Sequence, residues 1–202
     1  MKIISSATYS PDFAIRCWNT QKAYADRIGA DFEVIIREAG ENPANGHLDV
    51  IEGMSDDDLV MVLDWDIEVS NDAPDIKDYF TGEIALPIFN DSNCPFIRMQ
   101  RRKFPLLADT EHYFNIGIML GKVGDLNAVR RYFTQEIYDY MEGCPTLSIR
   151  YEAAVNLAIH KSGVSATPLP KGLHVYAPLQ KGPFLHHVGP AKHKNNYSIL
   201  HS

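Results

Sequence analysis

Two carboxylates stand two residues apart after an apolar run, in the segment Val-Met-Val-Leu-Asp-Trp-Asp that ends with Asp64 and Asp66. Residues 59–63 lack polar alternation, which is typical of a central strand buried on both faces. Open α/β sheets bind ligands at the carboxyl ends of their strands. Because alternate residues point the same way, both side chains could approach one divalent cation, directly or through water. Oxygen ligands suit Mg²⁺ or Mn²⁺, which usually share their coordination with substrate phosphates.

The acidic pair also fits other interpretations. Two solvated acids at a strand end are common, and a strand ending in Asp-x-Asp resembles the first motif of haloacid-dehalogenase-type phosphatases. That motif has Thr or Val four residues after its first Asp, where this chain has Glu68. It also stands near the N-terminus, whereas Asp64 follows two earlier strands. The phosphatase interpretation therefore remains as an alternative.

The elements that must position the acidic pair follow from the apolar spacing. A β-prone run over 2–8, a helix reaching Ile28 and stopped by Gly29, and a strand over 32–36 predict a β-α-β opening. Further strands are expected at 59–63, 83–89 and 116–120, and helices at 47–54, 125–142 and 151–161. The last forty residues are rich in Pro, Gly, His and Lys, which predicts mostly loop. The sequence thus indicates one α/β domain over residues 1–202.

Composition narrows the classes of function. The chain has 202 residues, 45% of them hydrophobic, and a net charge of −7. That charge argues against sequence-independent binding of nucleic acid, which needs an electropositive surface. Three widely spaced cysteines form neither a disulfide framework nor a thiolate zinc site. Neither a signal peptide nor a stretch of 18 apolar residues occurs, so we expect a soluble, cytoplasmic protein without a transmembrane segment.

Three stretches, in this order along the chain, resemble glycosyltransferase family 8 and its GT-A relatives. They are Leu-Val-Met-Val-Leu-Asp-Trp-Asp-Ile-Glu-Val at 59–69, His-Tyr-Phe-Asn-Ile-Gly-Ile-Met-Leu at 112–120, and His-His-Val-Gly-Pro-Ala-Lys at 186–192. The resemblance covers residues 2–195 in outline, but only these motifs are specific. It implies a GT-A-like three-layer α/β/α sandwich with a mostly parallel sheet. It also implies transfer of a hexosyl group from a UDP-sugar to a sugar or protein hydroxyl, with retention at the anomeric carbon.

The resemblance assigns a metal site. Asp64 and Asp66 would bind Mn²⁺ or Mg²⁺, with His186 as the third ligand and His187 as a chemically equal rival. It also assigns contacts with the diphosphate. Gly189 would let the backbone approach a phosphate. Lys192 would give the diphosphate a positive charge. The segment 165–202 would then close over the nucleotide.

Other positions would contact the rest of the donor. Ala7, Thr8 and Tyr9 follow the first strand, where GT-A enzymes hold the base and ribose, and Tyr9 could stack on uracil or border the core. Trp65 could pack on the ribose or cap the core.

The second of these motifs and the segment 151–156, where the family usually shows Asp-Gln-x-x-Leu-Asn, concern the donor sugar. Asn115 would bind this sugar and Gly117 would leave room for it, although a plain turn before a strand explains both residues equally. Glu152 stands where the family usually has Gln, and Tyr151 where it has Asp. A carboxylate there could stabilise an oxocarbenium-like centre, act as nucleophile or serve as base, or it could be a helix N-terminal acid. Glu152 is the predicted catalytic residue, and its departure from the family leaves the stereochemical outcome open.

Two further classes complete the alternatives. A sugar-phosphate nucleotidyltransferase shares the metal chemistry, but a Gly-rich, basic phosphate loop is expected after its first strand, and residues 5–13 contain none. A non-catalytic module that binds nucleotide-sugar or glycan would keep the metal dependence without turnover. The expected partners are therefore a nucleotide-sugar donor and a glycan or protein acceptor.

Overall fold

The structure is a computed structural model that describes residues 1–7, 12–36, 48–82, 84–88, 101–108, 112–142, 147–177 and 181–187. The chain opens with β1 (Lys2–Ala7), α1 (Asp12–Ile28) and β2 (Asp31–Ile36), and β1 and β2 pair in parallel. Gly29 follows α1 with a φ of 66°, a left-handed conformation that ends helices at little cost in glycine. The predicted β-α-β opening and its stop signal are therefore confirmed.

A six-stranded sheet forms the centre of the fold. Its remaining strands are β3 (Leu59–Asp64), β5 (Ile84–Leu86), β6 (Ile118–Lys122) and β7 (Ala166–Pro168). The spatial order is β2-β1-β3-β6-β5-β7. Only β6 runs antiparallel to its neighbours in this sheet, so the sheet is mostly parallel, as predicted.

Helices cover both faces of the large sheet. After α1 come α2 (Pro105–Ala108), α3 (Val123–Tyr132), α4 (Gln135–Tyr140) and α5 (Leu147–Ser162). Val60 and Val62 of β3 belong to one buried cluster, together with apolar side chains of α3, α4 and α5. Met61 and Leu63 belong to a second cluster, with side chains of α1. Alternate residues of the strand therefore pack into two cores, one on each face of the sheet, and each core is covered by helices. This three-layer arrangement confirms the predicted α/β/α sandwich.

A second, three-stranded sheet lies beside the acidic pair. It contains β4 (Ile67–Val69), β8 (His174–Ala177) and β9 (Phe184–His187), with β9 in the middle. The segment predicted as mostly loop therefore supplies three strands, β7, β8 and β9. These strands have three or four residues each, too few for a pattern to be visible, and β9 pairs with β4 from far earlier in the chain.

Three helix boundaries differ from the prediction. The expected helix over 125–142 is two helices, because the chain breaks after α3 and Thr134 caps α4 by accepting a hydrogen bond from the Ile137 amide. The expected helix over 47–54 is a short 3-10 turn at Asp49–Ile51, and α5 begins at Leu147 rather than 151. Within the described ranges, no helix has both the length and the apolar character needed to cross a bilayer.

Candidate functional site

The acidic pair lies in a tight turn between β3 and β4. Gln21 of α1 is fully buried, and its Nε2 donates to the carbonyl oxygens of Asp64 at 3.0 Å and Ile67 at 2.8 Å. The Asp64 amide donates to the carbonyl of Gly117 at 2.9 Å, which joins the turn to the segment before β6. The turn is therefore fixed from both sides, and its carboxylates lie at the carboxyl end of a buried parallel strand.

Asp64, Asp66 and His186 converge on one point. Their ligand atoms all lie within 4.8 Å of one another. The His186 Nε2 atom lies 3.4 Å from Oδ2 of Asp64 and 3.3 Å from Oδ1 of Asp66. Asp66 is fully buried, and buried carboxylates in proteins are normally paired or bound to a metal. Two carboxylates and an imidazole are a donor set that Mn²⁺ accepts, so these residues fit a divalent cation.

The neighbouring His187 faces elsewhere. Its Nε2 lies 3.2 Å from Oε2 of Glu68, and its ring packs edge-on against Phe13 at a centroid distance of 4.9 Å. The main chain separates the two rings, because successive residues of a strand point to opposite sides. His186 is thus the histidine that lies with the acidic pair.

Two residues of β8 surround the His186 ring. The Nδ1 atom of His186 lies 3.1 Å from Nε2 of His174, and the Tyr176 ring stacks on His186 at 5.7 Å with an interplanar angle of 25°. Burial, with the neighbouring His186 as a further cause, lowers the pKa of His174 well below its ordinary value. The imidazole of His174 is therefore neutral at physiological pH.

Gly117 and Asn115 lie directly under the same ring. A Cβ added at Gly117 would approach His186 Cε1 to 2.8 Å and Asn115 Oδ1 to 2.9 Å, closer than real Cβ atoms come. The prediction that Gly117 leaves room for a donor sugar stays a prediction, and the structure shows that the His186 ring lies against this glycine. The Gly117 amide also donates to Oδ1 of Asn115 at 3.0 Å, which fixes the amide side chain of Asn115.

Glu152 is the next acid in this region. It is buried on α5, and its Oε2 accepts a hydrogen bond from Nδ2 of Asn115 at 2.9 Å. Burial, with a smaller contribution from the Asp64 carboxylate, raises the pKa of Glu152 to about 8. Asn156 lies one turn later on the same helix. Its Oδ1 accepts from the Phe114 amide at 2.7 Å, and its Nδ2 donates to the Phe114 carbonyl at 2.9 Å. These bonds attach the segment that carries Asn115 to α5.

The remaining predicted contacts are only partly described. Ala7 and Trp65 pack together with Ala14 in a small buried cluster, and the Trp65 ring meets Phe13 at 6.4 Å. This packing agrees with the core-capping interpretation of Trp65, and its contact with a ribose stays a prediction, as does the donor role of Ala7. Thr8, Tyr9, Gly189 and Lys192 lie outside the described residues.

Gln21 and His174 are among the residues that shape the site without having been predicted from the sequence. Gln21 lies among the polar positions of a helix, and nothing in its local sequence distinguishes it from a solvated glutamine. His174 did leave a signal, since His-Val-Tyr at 174–176 has the alternation of a strand. Because prolines and glycines surround these three residues, the segment was predicted as loop.

Solved glycosyltransferases share this arrangement of strands and helices. The galactosyltransferase LgtC, in complex with donor and acceptor sugar analogues, aligns with a TM-score of 0.59 and 14% identity over 94% of this chain and 88% of that chain. A glycosyltransferase involved in the glycosylation of the major capsid of PBCV-1 aligns with a TM-score of 0.62 and 11% identity over 96% of each chain. An active-site mutant of LgtC with Glu in place of Gln aligns with a TM-score of 0.59 and 13% identity over 94% of this chain and 88% of that chain.

The chain therefore has the GT-A fold, as the motifs predicted. No protein-family profile and no curated protein matches its sequence.

Proposed function

We propose that the chain is a metal-dependent glycosyltransferase that transfers a hexosyl group from a UDP-sugar to a hydroxyl of a sugar or protein. The observation that carries this proposal is the convergence of Asp64, Asp66 and His186 at the carboxyl end of a central strand of a GT-A sheet. GT-A sheets bind nucleotide-sugars at this edge, where open α/β sheets in general bind ligands. The glycosyltransferase neighbours favour sugar transfer over the phosphatase alternative.

Asp64, Asp66 and His186 would hold the cation, which is Mn²⁺ or Mg²⁺. A bound divalent ion neutralises charge that develops on a leaving diphosphate. The protein's own contribution is rigidity, because Gln21 and Gly117 hold the turn that carries the two aspartates. A site held in place before the reaction need not reorganise as the charge develops.

The diphosphate would meet the tail of the chain. Gly189 and Lys192 follow β9 by a few residues, and β9 carries His186. A lysine near the cation would add a second positive charge to the leaving group. We propose that the C-terminal segment 165–202, in which strands β7, β8 and β9 are already in place, closes over the nucleotide through the residues that follow β9, and that the chain forms a single domain over 1–202.

The base, ribose and sugar would lie along the same edge. Ala7 ends β1, the strand next to β3, and Thr8 and Tyr9 come next in the sequence. We propose that these three residues and Trp65 bind the base and ribose. Asn115 would bind the donor sugar through the part of its amide that Gly117 and Glu152 do not occupy.

Glu152 would act on the anomeric centre. Its raised pKa means that the carboxyl holds a proton near neutral pH in the protein without a donor. A nearby positive charge favours the ionised form, so the bound cation and the charge developing on the sugar would lower the pKa of Glu152, which would release its proton to water. We propose that this carboxylate stabilises the oxocarbenium-like centre and that the configuration is retained.

Release of UDP from a panel of UDP-hexoses tests the proposal. We expect slow, Mn²⁺-dependent hydrolysis of at least one donor, with loss of the activity in EDTA and acceleration by a suitable acceptor. Donor binding without any release of UDP would instead support the non-catalytic binding module. Hydrolysis of simple phosphate esters in the same buffer, with no reaction of UDP-sugars, would support the phosphatase.

A further inference from the structure

One face of the small sheet carries three aromatic side chains next to the acidic pair. Tyr176 of β8 lies opposite His186 of β9 in the parallel register, and His174 lies two residues before Tyr176. Because alternate residues of a strand share a face, His174, Tyr176 and His186 project to the same side. His174 is then the diagonal neighbour of His186, within reach of its ring.

Both nitrogens of His186 have neighbours in this arrangement. Nε2 faces the carboxylates, at 3.4 Å from Asp64 and 3.3 Å from Asp66. Nδ1 faces Nε2 of His174 at 3.1 Å, which is hydrogen-bond distance for two nitrogens. Such a contact requires one nitrogen to donate and the other to accept, so the tautomers of the two rings depend on each other.

We propose that His174 is a positioning residue that accepts the Nδ1–H of His186 and so directs the Nε2 lone pair of His186 at the cation. This inference rests on the cation site of the proposed function. Nε2 must present a lone pair to bind a metal, and the proton of the neutral ring must then reside on Nδ1. A metal-bound histidine usually gives that proton to a carboxylate, carbonyl or water, which fixes the tautomer and ring orientation. Here a second imidazole fills this role.

Packing supports the same assignment. Tyr176 stacks on the His186 ring and also meets His174 edge-on at a centroid distance of 5.0 Å. Gly117 lies so close to Cε1 and Nδ1 of His186 that no room for a side chain remains between them. The His186 ring therefore cannot turn away without displacing its neighbours, and the nitrogen opposite the acidic pair stays directed at His174.

Two substitutions separate the hydrogen bond from mere packing. His174→Phe keeps a flat ring but removes the acceptor, and His174→Gln places an amide oxygen near the position of Nε2. We expect the Mn²⁺ affinity, measured by electron paramagnetic resonance of free Mn²⁺, to fall about 10- to 100-fold in the Phe variant. The Gln variant should keep most of the affinity. His160→Phe, at an exposed position of α5, serves as the matched control and should bind Mn²⁺ as the wild type does.

The inference can also be tested on the wild-type chain, so that the result does not depend on whether a variant folds. With Mg²⁺ bound, nitrogen-15 spectra should show the His186 proton on Nδ1 and a scalar coupling across the hydrogen bond to Nε2 of His174. Wild-type Mn²⁺ affinity in His174→Phe, equal losses in the Phe and Gln variants, or a His186 proton on Nε2 in the Mg²⁺ complex would each overturn the inference.

The outcomes also distinguish this inference from the function on which it rests. A wild-type chain that binds no Mn²⁺ would overturn both. Mn²⁺ binding that depends on His174, in a chain that binds no UDP-sugar, would support the inference and contradict the proposed function.

Discussion

Two adjacent histidines at the end of β9 have different surroundings, and their chemistry differs accordingly. His186 lies between the acidic pair and His174, whereas His187 lies against Glu68 and Phe13. In both cases the other nearby groups, rather than the histidine itself, determine what the ring can bind. At the scale of single residues, the site therefore depends on the neighbours that each ligand contacts.

The space at Gly117 provides a first test. Gly117→Ala should displace the His186 ring, since the new methyl group would lie 2.8 Å from Cε1. We expect Mn²⁺ affinity in calorimetric titrations to fall about tenfold or more, as it does when the support of a metal ligand is disturbed. Gly82→Ala is the control, because nothing lies within 4 Å of its added Cβ. Unchanged affinity in Gly117→Ala would show that the ring position has no role in binding.

Glu152 provides a second test, this time of catalysis. Glu152→Gln keeps the shape of the side chain and an oxygen for the Asn115 amide, so donor binding should remain. Turnover should fall by about 100-fold or more, because the variant cannot ionise as charge develops on the sugar. Steady-state UDP release gives kcat, with Glu136→Gln at an exposed position of α4 as control. Turnover equal to that of the wild type would leave Glu152 a structural role only.

The same carboxyl should make stability depend on pH. Burial raises the pKa of Glu152 from 4.5 to about 8, so between these values the folded chain holds a proton that the unfolded chain has released. The free energy of unfolding therefore falls as pH rises through this window, by about 1.4 kcal/mol per unit of pKa difference. The stabilisation is complete below the unfolded pKa and lost above the folded one.

Urea unfolding in EDTA checks this expectation. Relative to Glu152→Gln, the wild type should lose on the order of a few kcal/mol between about pH 5 and about pH 9. Parallel stability curves for the two chains would contradict the raised pKa.

Sequence patterns predicted the residues of the site better than their supports. A strand followed by Asp-x-Asp is compatible with a metal site but also with solvated acids, and the resemblance at 186–192 adds the histidine that the structure brings to the pair. Gln21, His174 and Asn156 act through contacts across 12 to 46 residues of chain, and only the folded structure shows such contacts.

At the scale of elements, α1 joins the small sheet to the large one. Arg16 of α1 donates from Nη2 to both carboxylate oxygens of Glu68 on β4 at 3.0 Å. The Glu68 carboxylate also lies within hydrogen-bond distance of Nε2 of His187 on β9. The hydrogen bond with His187, followed by those with Arg16, lowers the pKa of Glu68 to about 2. The network thus links three elements behind the cation site.

Removing the Glu68 charge should loosen this link. We expect Glu68→Gln to lower the free energy of unfolding at neutral pH by about 1.5–3 kcal/mol, the range for hydrogen bonds to a charged group. Urea denaturation measures the change. Asp26→Asn is the control, because the Lys22–Asp26 pair is exposed and should contribute about 0.5 kcal/mol or less. Equal stability of wild type and Glu68→Gln would show that packing alone holds β4 and β9 to α1.

The longer helices and strands were predicted from the sequence more accurately than the short ones. The buried run at 59–63 and the helix that Gly29 follows have enough residues for a clear pattern, and both were predicted closely. Strands β7, β8 and β9 gain their stability from distant partners, which short-range patterns do not contain. The break between α3 and α4 depends on the Thr134 cap, a signal hidden within a continuous apolar repeat.

At the scale of the whole molecule, the fold brings distant segments to one edge. Asp64, Gly117, Glu152 and His186 come from four parts of the chain, and the sheet order β1-β3-β6 places the first two side by side. The GT-A layers are shared with solved glycosyltransferases at 11–14% identity, because α/β packing constrains the pattern of apolar residues more than their identity.

The central claim is that Asp64, Asp66 and His186 hold a cation to which a UDP-sugar binds. The most direct measurement is calorimetric titration of UDP-glucose and UDP-galactose into the wild type and Asp66→Ala, each with Mn²⁺ and with EDTA. The account predicts binding of at least one donor to the wild type with Mn²⁺, and its loss both in EDTA and in the variant. Absence of binding to the wild type with Mn²⁺, or undiminished binding in Asp66→Ala, would contradict it.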